Sequence, residues 1–167
     1  VYDGSPLGSR SRAFWKVRTL DLDADADGRP SPWSEMAGFE LGLLEPADWS
    51  ASWIASALEG APRSSPPVPA LRREFEVERP VAQARLYVSA LGLYEVEING
   101  RRVGDHELAP GWTDYRERVR YQSHDITAHL RVGANAIGAL LGDGWYCGFV
   151  GLLEKREAYG RRPALLA

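Results

Sequence analysis

Sulfur is scarce in this chain: Met36 and Cys147 are its only methionine and cysteine. One thiol excludes an intrachain disulfide and a thiolate zinc cluster. No apolar run approaches the roughly 18 consecutive residues of a membrane span, so no membrane partner is expected. Charge of one sign is missing too. Twenty basic side chains face 23 acidic ones, for a net charge of −3. That balance argues against electrostatic capture by nucleic acid or an anionic membrane surface. Lysine is nearly absent, with Lys16 and Lys155 set against eighteen arginines, a bias better explained by a GC-rich genome than by function. The chain opens at Val1 with no basic or apolar leader. No signal peptide is visible, and cytoplasmic and secreted settings both stay open. What is plentiful is glycine (17), proline (11) and aromatics (10%) in a chain that is 44% apolar. Many short elements with sharp turns, an all-β profile, are expected.

The 167 residues allow one domain of about 150 residues or parts of two. In the first segment, Phe14–Leu20 alternates with Lys16 and Arg18 on one face, which predicts a strand. Asp21–Pro32 predicts a turn and Met36–Leu44 a second strand. So few strands cannot form a sandwich, and this segment is expected to be the tail of a larger domain. Residues 46–69 carry Pro62, Pro66, Pro67 and Pro69 and no long periodic run, as a linker would. From Ala70 the alternation is clearer. Strands are predicted over Leu71–Glu78, Val81–Ala90, Tyr94–Ile98, Arg118–Gln122 and Asn135–Leu141, with a hairpin turn at Asn99-Gly100. Asp125–Leu130 predicts one helical turn with Asp125 as N-cap. Pro163–Ala167 reads as a strand inside which the chain stops.

Few motifs carry chemistry. Asp23-Ala24-Asp25-Ala26-Asp27-Gly28 imitates the start of a calcium loop, but Ser34 stands where a bidentate Glu belongs, so it reads as an acidic turn. Gly142–Gly148 misses dinucleotide-loop spacing and is bulky at Trp145 and Tyr146. His106, His124 and His129 have no zinc spacing. Cys147 reads as a packed small side chain. Glu74, Glu76, Glu95 and Glu97 fall on solvent faces of strands, and no two acids pair as a glycosidase requires. The aromatic clusters are more informative. Trp112, Asp114 and Tyr115 in one, with Trp145 and Tyr146 in the other, are candidate sugar contacts. Exposed rings stack on the apolar face of a sugar and a carboxylate accepts its hydroxyl hydrogen bonds. The competing reading is that the rings pin loops to the core.

Leu91–Asp105, Leu108–Tyr115, Val119–Gln122, Asp125–Thr127, Gly133–Gly138 and Leu141–Tyr146 together resemble the N-terminal β-sandwich module of bacterial α-L-rhamnosidases. Upstream, Trp33-Ser34-Glu35, Phe39–Leu44 and Asp48–Ile54 resemble that family's join between a fibronectin-type-III-like domain and the sandwich. The resemblance implies an all-β fold truncated at both ends. Residues 1–45 would end the fibronectin-type-III-like domain, 46–69 would form the linker and first strand, and 70–167 would form an incomplete jelly-roll-like (galactose-binding-like) β-sandwich. It further implies a parent enzyme that releases terminal α-L-rhamnose by an inverting mechanism, with both carboxylates on a later α/α barrel. No catalytic residue is therefore assigned within these residues. Some related modules bind rhamnose through calcium, but their ligands have no position-by-position match here, and no metal or cofactor is expected. The implied partners are rhamnose-containing glycosides and the downstream catalytic domain. The alternatives are a stand-alone carbohydrate-binding module of another hydrolase and a β-sandwich interaction module.

Overall fold

A computed structural model describes residues 4–21, 29–151 and 155–167. The acidic Asp23–Gly28 turn lies outside them. The chain divides into two compact units, Val1–Ser50 and Ala51–Ala167.

The first unit is built from two ribbons. Strands β1 (Arg12–Trp15), β2 (Leu20–Asp21), β3 (Arg29–Pro30) and β4 (Ala37–Glu40) pair antiparallel as β1 with β4 and β2 with β3. The expected strand over Phe14–Leu20 is interrupted after Trp15, and that over Met36–Leu44 shortens to β4. Serine hydroxyls replace part of the missing ladder. Val17 N–H donates to Ser34 Oγ and Thr19 N–H to Ser31 Oγ. Pro32, between those serines, has no N–H to offer. At the end of the unit, Asp48 accepts from Ser9 Oγ, from Glu45 N–H (2.9 Å) and from Leu44 N–H (3.1 Å). These bonds, Ser9's foremost, hold its carboxyl below the usual range.

The second unit is a β-sandwich. Its strands are β5 (Ile54–Ala55), β6 (Ala70–Val77), β7 (Arg85–Leu91), β8 (Leu93–Ile98), β9 (Arg101–Arg102), β10 (Gln122–Asp125), β11 (Gly133–Gly142) and β12 (Ala164–Leu166). A single helical turn, α1 (Gly144–Cys147), follows β11. One antiparallel sheet runs β10-β7-β12-β5 and the other β6-β11-β8-β9. Alternation decides which side chains enter the core. Tyr94, Val96 and Ile98 of β8 are buried, with Glu95 and Glu97 outside. They meet Leu86, Val88 and Ala90 of β7, Ala139 and Leu141 of β11 and Leu165 of β12 in one cluster. Gly92 alone carries the chain from β7 in one sheet to β8 in the other. Its φ of +123° and a Cβ that would strike the Gly142 carbonyl both demand glycine. The hairpin forms at Asn99-Gly100, both at positive φ (54° and 76°).

Three expectations need correction. Arg118–Tyr121 is irregular, and β10 starts only at Gln122. The backbone there is engaged elsewhere: Arg118 N–H donates to Asp114 O, and the carbonyls of Arg118 and Arg120 accept from Thr113 and Ser89 hydroxyls. The strand over Val81–Ala90 begins only at Arg85, because Ala84 N–H donates to Thr127 Oγ1 and its carbonyl accepts from Ile126 N–H. Asp125 stands one residue before the N-cap position, which Ile126 takes, and it accepts instead from Thr127 N–H at 3.0 Å. The Thr127 hydroxyl, its N–H and Arg85 together pull the Asp125 carboxyl down to about 2.

His124 of β10 packs edge-on to His106, with ring centroids 5.7 Å apart, against the turn at Gly104. Burial first, and then His106, lowers its pKa from 6.5, while Asp105 opposes both. The folded chain thus binds this proton more weakly than the unfolded chain. The contribution is whole above pH 6.5 and is lost as pH falls through the lower folded value. Denaturation midpoints should therefore drop between about pH 7 and 5. His124→Gln should flatten that drop, and an unchanged pH profile in the variant would count against this role.

Candidate functional site

The candidate sugar contacts lie on two loops that the sandwich brings together. The first, residues 108–118, is anchored from below. Tyr94 N–H donates to Ala109 O (3.0 Å), Gly111 N–H to Leu108 O (3.0 Å) and Gln122 Nε2 to Pro110 O (3.3 Å). The buried Tyr94 hydroxyl donates to Gln122 Oε1 at 2.8 Å, and burial raises its pKa. Asp114 Oδ1 accepts from Arg116 N–H at 3.1 Å, an Asx turn that orders the next residues.

The second loop starts at α1, directly after β11. It presents Trp145 to Trp112 with the two indoles nearly parallel (2°) and their ring centroids 5.7 Å apart. Trp112 remains 51% exposed. It forms one wall of an open groove of about 450 Å³, also lined by Thr113, Asp114, Glu117, Arg118 and Arg120. Tyr115 and Tyr146 are set differently. Tyr115 is 9% exposed and meets Tyr146 (5.3 Å) and Tyr159 (5.1 Å) edge-on, in a cluster whose rings do not line the groove. Arg116 lies over the Tyr159 ring at 5.0 Å and donates to Ala158 O, closing that cluster.

Arg156 fastens the second loop. Its side chain is 1% exposed, and Nη2 meets Asp143 Oδ2 at 2.5 Å. Nη1 donates to the carbonyls of Ala61 and Ser64, and the guanidinium stacks over Phe149. Its Nε is buried without a partner. Cys147 is fully buried and its thiol donates to Asp143 Oδ1 at 3.4 Å. Burial, with the Asp143 charge second, pushes that thiol up to about 12, so it stays protonated and unreactive. Among the described residues, no group of three or more His, Cys, Asp or Glu is placed to hold a metal ion. No helix there is long and apolar enough to cross a membrane.

Residues 79–167 match the family model described as α-L-rhamnosidase N-terminal domain, and residues 1–45 match the Rha78A-like N-terminal immunoglobulin domain. The chain belongs to the α-L-rhamnosidase N-terminal domain family. An α-L-rhamnosidase of Streptomyces avermitilis is 45% identical over 150 residues, which is 86% of this chain and 14% of the relative. The crystal structure of an α-L-rhamnosidase from Aspergillus terreus superposes with a TM-score of 0.88 at 42% identity, covering 97% of this chain and 19% of that one. A Streptomyces avermitilis α-L-rhamnosidase complexed with L-rhamnose superposes with a TM-score of 0.84 at 26% identity, covering 98% and 32%. The chain thus spans a minor share of each of these rhamnosidases.

In this rhamnosidase domain the sequence singled out the rings and Asp114 but not the groove's other lining residues or the Arg156 clamp. Thr113, Glu117, Arg118 and Arg120 lie within or near the Pro110–Tyr115 cluster, so proximity to it was the available signal. Arg156 offered none, because its partners Ala61 and Ser64 stand 95 and 92 residues away.

Proposed function

We propose that this chain is the non-catalytic N-terminal part of an α-L-rhamnosidase. Residues 1–45 form the C-terminal part of an immunoglobulin-like (fibronectin-type-III-like) β-domain, 46–69 the link, and 70–167 a β-sandwich module. The module supports a catalytic α/α barrel carried elsewhere in the polypeptide and contacts rhamnose-containing glycosides through the Trp112 groove. The observation that carries this reading is the 45% identity to a rhamnosidase seven times the matched length. The groove adds chemical support. A half-exposed indole braced by a second indole offers a flat apolar wall, and Asp114 beside it accepts hydroxyl hydrogen bonds. Trp145 holds the wall, while Tyr115 and Tyr146 hold the loops beneath it. Asp114 and Glu117 come from one turn, whereas glycoside hydrolysis needs a carboxyl on each side of the scissile bond.

Two measurements test this. The chain alone should leave an aryl α-L-rhamnoside intact, with hydrolysis only when the remaining enzyme is present. Turnover by these 167 residues would overturn the division of labour. Calorimetric titration with a rhamnoside should show binding that Trp112→Ala weakens about tenfold, the scale of one lost aromatic contact, with the fold retained by far-ultraviolet circular dichroism and only a modest fall in melting temperature from the lost indole stack. A flat titration of the native chain would remove the sugar-contact role.

A further inference from the structure

We infer that the catalytic domain docks on the outer face of the β6-β11-β8-β9 sheet. An apolar groove flanked by Glu95 and Glu107 there receives an apolar side chain of that domain together with a neighbouring Lys or Arg. This rests on the reading above, that a catalytic domain shares the polypeptide, and names the surface that meets it.

Alternation should make the outer face of the sheet polar, and Arg72, Glu74 and Glu97 are exposed there. At one end the pattern breaks. Leu140 stands on the outward side of β11, directly opposite Glu95. Leu93, Leu108 and Val68 join it around an open groove of about 270 Å³. Val68 and Leu108 are each 59% exposed. Single apolar side chains on a surface mean little, but four around one concavity mark a contact.

Leu108 supplies a second, independent observation. Its φ is +54°, a left-handed backbone that crowds the Cβ of any L side chain against a carbonyl oxygen. Hydrogen bonds on either side hold it there, from Gly111 N–H to Leu108 O and from Tyr94 N–H to Ala109 O. Glycine would make the same turn without strain. The leucine side chain leaves most of its surface in water, so nothing inside the unit offsets that strain. A partner that covers Leu108 does.

Size and charge select the partner. Stable free-standing interfaces engage roughly 20–30 residues a side. This groove is far smaller, so a second copy free in solution would not be held. A domain tethered in the same polypeptide acts at roughly millimolar effective concentration and needs less area. The chain spans 14% of the Streptomyces avermitilis rhamnosidase and 19% of the Aspergillus terreus one, so in those enzymes most of the polypeptide lies outside the matched region. Both charged residues lining the groove are carboxylates. With Asp105 nearby they act on the one guanidinium of Arg102, which meets Glu107 at 2.9 Å but Glu95 only at 3.9 Å. The rim is therefore net negative, and a cation beside the inserted apolar group complements it.

Amide hydrogen exchange in the full-length enzyme and in the 167-residue chain tests this. Val68, Glu107 and Leu108 lie in irregular segments. Their amides should exchange about tenfold more slowly where the catalytic domain covers them. Leu140→Arg sets a cation opposite Glu95, so the chain alone should keep its melting temperature. In the full-length enzyme it blocks the groove, and the protection should vanish. Leu108→Gly relieves the positive φ and removes the side chain. It should leave the chain alone no less stable, yet cut the protection of Val68 and Glu107 at least threefold. Equal exchange in the two native forms, or protection that survives both substitutions, would overturn the inference. Protection in the 167-residue chain that grows with its concentration would overturn it too, in favour of a second copy. Hydrolysis of an aryl α-L-rhamnoside by the same full-length sample separates the two readings. Activity with equal exchange removes this docking face alone, and no activity removes both.

Discussion

Arg156→Met should destabilise the second unit by about 3–5 kcal/mol, the cost of removing one partner from a buried ion pair. The substitution keeps much of the side chain's volume but leaves Asp143, itself largely buried, without its countercharge. It also removes the donor that Nη1 gives to the carbonyls of Ala61 and Ser64 from the far side of the sequence, leaving them only their mutual backbone hydrogen bonds. The loss should show in chemical denaturation as a lower midpoint with an unchanged slope. Arg156→Met/Asp143→Leu should recover part of it, because replacing both ions by apolar groups removes the uncompensated charge. The same change should reach the groove. Asp143 immediately precedes α1, which presents Trp145, so near-ultraviolet circular dichroism of the stacked indoles should weaken in the single variant. A loss below about 1 kcal/mol would mean that Arg156 packs without clamping.

Much of the sandwich was legible because its strands alternate strictly and one face of each is buried. In β8 the parity of Tyr94, Val96 and Ile98 against Glu95 and Glu97 left one orientation that buries apolar groups and keeps charges wet. Asn99-Gly100 was equally plain, since few other dipeptides accept two positive φ values. Elsewhere the pattern misled for one physical reason. Alternation records side-chain polarity and not where the backbone hydrogen bonds go. At Arg118–Tyr121 those bonds go to Asp114, Thr113 and Ser89, and at Val17 and Thr19 to serine hydroxyls. The groove was half legible. Composition pointed to Trp112 and Trp145, but their contact joins residues 33 apart in sequence through the end of β11 and exists only once the sheets have packed. The place of Arg118 and Arg120 in the groove, beside Asp114 and Glu117, was hidden for the opposite reason. In a chain with eighteen arginines, no sequence pattern tells a paired guanidinium from an unpaired one.

Asn135→Ala should cost about 2–4 kcal/mol, although Asn135 belongs neither to the groove's lining nor to the apolar core cluster. Asn135 is 3% exposed near the start of β11. Its Nδ2 donates to Arg131 O (2.7 Å) and Gly133 O (2.8 Å), and its Oδ1 accepts from Arg131 N–H (3.1 Å) and Asn99 Nδ2 (2.8 Å). Asn99 in turn donates to His129 O and accepts from Ala136 N–H. Two amides therefore bind the β8–β9 hairpin turn, the turn before β11 and the 3-10 turn at Thr127–His129 into one network. Alanine would strand two carbonyls and two donors, each costing about 1–3 kcal/mol if wholly unsatisfied; water entering the space should offset part of that sum. Asn135→Asp separates hydrogen bonding from volume. It keeps the acceptor and the size but turns both donations into repulsion between a carboxylate and two carbonyls, so it should destabilise at least as much at pH 7 as alanine does. It should partly recover as acid protonates the new carboxyl. Equal stability of Asn135→Asp and the native chain at pH 7 would show that the network is ornamental and that side-chain volume alone sets the β11 register.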